Sequence, residues 1–146
     1  MVDLNYLKKF IYDLRNIAND MELEIYLVGG YVRDKLMSAQ AEPEDADFVI
    51  KGNIHKFMTE MSKIDYKFFP IKEDAGIYRC ILDKNTIDIS SMKGNSIEED
   101  LGTRDFTINA IAMRVINDKI FDPFYGRRAL KSRILKSRSE EHTSEL

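Results

Sequence analysis

An apolar run, Ile25-Tyr26-Leu27-Val28, that ends in Gly29-Gly30 and opens into Tyr31-Val32-Arg33-Asp34 narrows the local fold to a buried strand, a tight turn and the start of a helix. At such a junction unhindered backbone N–H groups leave a helix N-terminus, where phosphate oxygens are favoured. Arg33, one turn in, adds a planar positive fork. After a polar turn containing Pro43, the segment Asp45-Ala46-Asp47-Phe48-Val49-Ile50 puts two carboxylates at the head of a second apolar strand. Strand alternation points Asp45 and Asp47 to one face and Ala46 to the other. Carboxylates so placed can grip divalent cations, and the two segments together read as a nucleoside-triphosphate site with its metal ligands.

The chain has 146 residues, 44% of them hydrophobic, which suits one domain with a single core. Charged residues make up 32% but nearly cancel, to a net charge of −3, so any contact with RNA has to be local. The one cysteine, Cys80, excludes an intramolecular disulfide and fits a reducing compartment. No basic-then-apolar leader opens the chain, and no apolar run approaches the ~18 residues that span a bilayer. A cytoplasmic protein without a membrane partner is expected. The last residues, Arg138-Ser139-Glu140-Glu141-His142-Thr143-Ser144-Glu145-Leu146, read as the in-frame translation of a common short-read sequencing adapter. The expected organisation is a C-terminally truncated domain over residues 1–137, followed by an adapter-derived stretch over 138–146.

Apolar side chains at threes and fours predict an amphipathic helix over residues 4–19. Strands are expected over residues 24–28, 47–50, 66–71, 77–82 and 86–90, the last two joined by an Asp83-Lys84-Asn85 loop. Helices are expected over residues 30–37, over 54–63 with Asn53 as N-cap, and from Ile97 with Ser96 as N-cap and Glu99 at the capping-box position. Residues 106–113 read as a buried helix, residues near 119–121 as a short strand, and 127–136 as a basic segment. Hairpins mixed with helices in this order predict an α+β domain, one mixed sheet backed by helices on one side, and not a doubly wound fold.

Four segments, LVGGYVRD from Leu27, DADFVI from Asp45, RDFTINAIA from Arg104 and DPFYG from Asp122, share their order and spacing with a known family. Over residues 24–136 the chain resembles the head domain of the class II tRNA nucleotidyltransferases, which comprise the bacterial CCA-adding enzymes and poly(A) polymerases and have the polymerase-beta-like nucleotidyltransferase fold. The resemblance implies an enzyme that adds nucleotides from CTP and ATP to the 3′ end of tRNA. Asp45 and Asp47 would hold two Mg²⁺ ions for two-metal phosphoryl transfer. By the same resemblance Gly30, Arg33 and Arg104 would contact the nucleotide and Gly29 would supply the turn.

Asp88, between Ile87 and Ile89, is a candidate third carboxylate, although an acidic residue alternating with two isoleucines also suits an open sheet face. Asp105 and Asn109 would brace the site through hydrogen bonds, Asp122 would cap the next turn, and Asp34 could pair with a nearby arginine. Two features depart from the family pattern: Thr103 stands where a second arginine is usual, and the segment between Asp88 and Arg104 is short. With one histidine on a helix face and the other in the adapter-like tail, a histidine-based metal site or general base is not expected. Arg127, Arg128, Lys131, Arg133 and Lys136 form a basic cluster that suits either RNA backbone or a solvated helix face. Other readings are a bacterial poly(A) polymerase, a noncatalytic nucleotide-binding or regulatory module, and a nucleotidyltransferase acting on small molecules or proteins. The paired carboxylates speak against the module, and RDFTINAIA against the last.

Overall fold

Leu7, Phe10, Ile11, Leu14 and Ala18 form the apolar stripe that the first helix, α1 (Tyr6–Met21), presses against a sheet. The computed structural model describes residues 6–104, 109–132, 134–136 and 143–145. After α1 come β1 (Glu24–Val28), α2 (Gly30–Met37), β2 (Asp45–Lys51), α3 (Ile54–Ser62) and β3 (Phe69–Lys72). A 3₁₀ turn (Glu73–Ala75) leads to β4 (Ile77–Leu82), β5 (Asn85–Ser91), α4 (Ile97–Leu101), β6 (Ala112–Arg114) and β7 (Ile120–Phe121). Then follow α5 (Gly126–Ser132) and a two-stranded ribbon of β8 (Ile134–Lys136) with β9 (Thr143–Glu145).

The main sheet has seven strands in the order β3-β4-β5-β2-β1-β6-β7. β2 and β5 run parallel, and the other neighbours are antiparallel. The excursion through α3, β3 and β4 makes the parallel crossover, and it sets Asp47 opposite Asp88. On one face Ile25, Leu27, Ala46, Phe48, Ile50, Ile87 and Ile89 meet α1 and α3 in the main core. Phe10 lies at its centre, its ring 5.5 Å from that of Phe48 and 5.0 Å from that of Tyr66. By alternation, Asp45, Asp47 and Asp88 share the opposite face.

That opposite face is not bare, which corrects the expectation of helices on one side. Ile97 and Leu101 of α4 pack there against Tyr26, Val28 and Val49 in a second, smaller core. The predicted helix over 106–113 is corrected as well: residues 105–108 lie outside the described residues, and Ala112 and Met113 belong to β6, paired with Val28 and Leu27. Ala110, Ile111 and Ala112 are each 0% exposed, and a continuous apolar run has no period that distinguishes a buried strand from a buried helix. The strand predicted over 66–71 begins only at Phe69, because Tyr66 turns into the core and donates its hydroxyl to Asp13 at 2.6 Å.

Candidate active site

The β1–α2 junction is built on Gly29, whose φ of 70° and ψ of −138° fall where only glycine sits without strain. Its carbonyl accepts the Arg33 N–H at 3.0 Å, closing the first turn of α2, and no side chain caps that helix end. First-turn N–H groups of α2 thus remain available to an anion. A Cβ on Gly29 would stand 3.7 Å from Asp47 Oδ2, so the turn lies directly over that carboxylate. Arg33 folds back over Gly30, donating from Nε to Asp34 at 3.0 Å and from Nη1 to Asn109 Oδ1 at 3.4 Å. The anticipated pairing of Asp34 with an arginine is therefore with its own neighbour.

Asp45 and Asp47 are both exposed, and the intervening Ala46 is buried in the main core. Among the described residues neither carboxylate accepts a hydrogen bond, although Asp47 adjoins Asp88 in the parallel register. Partial loss of hydration between the cleft walls raises the Asp47 pKa above its ordinary value. Repulsion from Asp88 and Asp45 adds to the rise, and Arg104 and Arg79 oppose it. Asp47 still touches water along the cleft, so its hydration is thinned rather than removed. Asp88 differs, because both of its oxygens are held by Arg79, at 2.7 Å from Nε and 3.1 Å from Nη2. Among the described residues no trio of His, Cys, Asp or Glu closes around one point as a metal cage. The donor set fits a hard cation that takes one or two carboxylates and fills its remaining positions with phosphate oxygens and water, as Mg²⁺ does.

A cleft of about 560 Å³ opens over these residues, lined by Asp47, Asp88, Lys93, Asp100, Thr103, Arg104 and Asn109 among others. Arg104 donates from Nη2 to Asp100 at 3.3 Å, and its buried Nε–H has no partner among the described residues. Thr103, in the place of the expected second arginine, donates its hydroxyl to the Asp100 carbonyl at 2.7 Å, just past the end of α4, instead of supplying a cation. Asp45 and Arg33 flank the cleft without lining it, although Arg33 reaches the lining residue Asn109. Asp122 stands apart from the cleft lining and caps α5, accepting the Gly126 N–H at 2.6 Å and the Arg127 N–H at 3.0 Å. Asp105 lies outside the described residues. The sequence reading missed Arg79, Lys93 and Asp100. Arg79 could have been found from the β4–β5 hairpin, whose register sets it opposite Asp88, and Asp100 from its spacing to Ile97, which puts it on the buried side of α4.

Residues 25–136 match the family described as Poly A polymerase head domain. The chain belongs to that family. Among relatives of this head domain, the CC-adding tRNA nucleotidyltransferase of Synechocystis sp. is 38% identical over 101 residues, which cover 68% of this chain and 24% of the relative. The Thermotoga maritima CCA-adding enzyme complexed with tRNA-CCA superposes with a TM-score of 0.78 at 30% identity, over 93% of this chain and 33% of that one. A tRNA nucleotidyltransferase complexed with a primer tRNA and an incoming ATP analog gives a TM-score of 0.73 at 32% identity, over 84% and 38% respectively. The head domain here thus spans a quarter to two fifths of the length of these proteins. Its sheet and helices are those of the polymerase-beta-like nucleotidyltransferase fold expected from the motifs.

Proposed function

We propose that this head domain transfers a nucleoside monophosphate from CTP or ATP to the 3′ end of tRNA, with pyrophosphate as the leaving group. The observation that carries the reading is Asp47: a carboxylate without a hydrogen-bond partner among the described residues, abreast of Asp88 and 3.7 Å from the Cβ position of Gly29. In this reading Asp45 and Asp47 hold Mg²⁺, and Asp88, released from Arg79, is the third carboxylate. Mg²⁺ held by these carboxylates would supply charge neutralisation for the attacking and leaving oxygens of an in-line displacement. The N–H groups after Gly29 and Gly30 face the phosphates, and Arg33 and Arg104 offer them positive forks. Asp34 and Asn109 hold Arg33 in direction, Asp105 has a supporting role, and Asp122 anchors α5. The names of the relatives support tRNA as acceptor, and the one from Synechocystis sp. supports CC addition as a narrower form of the same activity.

The test is calorimetric titration of Mg²⁺ with CTP and with ATP into the chain and into the Asp45→Asn, Asp47→Asn double variant. Both nucleotides should bind the wild type and lose their Mg²⁺-dependent binding in the variant. Unchanged binding would remove the carboxylates from the site and the proposed chemistry with them.

A further inference from the structure

Among the described residues, Asp100 is the one charged residue that is buried, at 2% exposure. Withdrawing a carboxylate from water is costly unless it is paired, so its partners indicate what it is for. Oδ2 accepts the Lys93 N–H at 2.8 Å, and Oδ1 accepts Nη2 of Arg104 at 3.3 Å. The N-terminal cap of α4 does not use this anion. That cap comes from Ser96, whose hydroxyl accepts the Glu99 N–H at 3.2 Å, and from Glu99, which accepts the Asn95 N–H at 2.8 Å. The carboxylate ties the strap after β5 to Arg104, three residues past the end of α4, and Lys93 and Arg104 both line the cleft beside Asp47. It occupies one edge of the Arg104 guanidinium and leaves the buried Nε–H without a partner among the described residues.

We propose that Asp100 is a positioning residue: its buried carboxylate joins the Lys93 strap to Arg104 and so aims both at the triphosphate. The proposal rests on the nucleotidyltransferase reading above. An arginine already fixed on one edge loses little freedom when its remaining donors meet an anion, which is the advantage of preorganisation. Asp100 has to act through Arg104, so its effect depends on Arg104 being present and falls on the phosphates, which CTP and ATP share.

The experiment is a double-variant cycle in the 146-residue chain, with Asp100→Asn, Arg104→Ala and their combination, reading the Kd of CTP and of ATP with Mg²⁺ by calorimetry. Asp100→Asn keeps an oxygen for the Lys93 N–H and removes the counter-charge of Arg104. It should raise both Kd values roughly ten-fold, as loss of a charge-assisted bond does. In the Arg104→Ala background it should change them by less than about two-fold. Equal losses in both backgrounds, or no loss in the wild-type background, overturn the proposal. A wild type that binds neither nucleotide overturns the nucleotidyltransferase reading itself, which separates that failure from this one. If Asp100→Asn does not fold, the wild type alone decides by NMR of its arginine side chains. The Arg104 guanidinium, assigned by its absence in Arg104→Ala, should rotate slowly before nucleotide is added, and free rotation there refutes the anchoring.

Discussion

Replacing Gly29 by alanine should cost the chain both stability and its grip on nucleotide, for two separable reasons. The backbone at φ 70°, ψ −138° lies outside the left-handed helical region, and holding an L-residue there costs about 1–3 kcal/mol. For a domain of this size that corresponds to a fall in Tm of roughly 3–12 °C. The added methyl itself is not a clash, because Asp47 Oδ2 would lie 3.7 Å from it, so the stability loss is one of backbone strain. Binding suffers because the turn can shed strain only by rotating, which swings the first-turn N–H groups of α2 away from the carboxylates. Loss of one or two such contacts to a charged ligand weakens binding by about 1.5–3 kcal/mol each. The control is Gly76→Ala, at φ 67° in the left-handed turn before β4, where a Cβ would meet Ser91 Oγ at 3.4 Å. Thermal melts should show both variants destabilised, and titration with Mg²⁺ and ATP should show only Gly29→Ala impaired. A Gly29→Ala protein that melts with the wild type refutes the strain argument, and one that melts early but keeps its affinity refutes the phosphate cradle.

Three further outcomes follow from the same geometry. Asp47→Asn should raise Tm at neutral pH in metal-free buffer. The native carboxyl titrates above its ordinary 3.8, so the native state holds the extra proton between the two pKa values, stability falls as pH rises through that window, and the cost is complete above it. The Tm gap between variant and wild type, followed by calorimetry, should close as pH falls well below 3.8, and a gap that persists there refutes the assignment. Arg33→Ala should weaken CTP and ATP alike, by about 1.5–3 kcal/mol, and a loss confined to one nucleotide would mean that Arg33 reads the base. The 146 residues alone should incorporate labelled CTP or ATP into a tRNA lacking CCA orders of magnitude more slowly than a full-length relative, since positioning the RNA end can supply roughly 7–11 kcal/mol of the barrier. Ordered addition of C, C and A by this chain unaided would refute that.

Local signals proved readable where one residue type settles one conformation. β1 and α2 have the bounds anticipated, because the apolar run ends at a glycine that alone tolerates the turn, and Asn53 caps α3 by accepting the Lys56 N–H at 3.0 Å. The carboxylate pair was legible because alternation is a property of any strand. What stayed hidden depended on partners distant in sequence. β6 carries no period of its own and is a strand because it lies against β1. Asp100 sits in an acidic run that looks solvated until Ile97 and Leu101 are seen to turn the same side of α4 inward. The grip of Arg79 on Asp88 follows from hairpin register, a relation between two strands that neither expresses by itself. Asp88 was accordingly legible as a position on the right face and not as half of an ion pair.

The parallel pairing of β2 with β5 also governs how this molecule comes into being on the ribosome. Residues 45–50 must wait for residues 86–91 to be synthesised, which at ~5–20 residues per second takes roughly two to eight seconds. During that wait β1 can cover one edge of β2, but the other edge, along Phe48, Val49 and Ile50, faces water with its amides unpaired. Pairing across so long a loop is slow, and it is the step that brings Asp47 beside Asp88. A nascent chain therefore carries the glycine turn and the first two aspartates well before it carries the acidic floor they belong to.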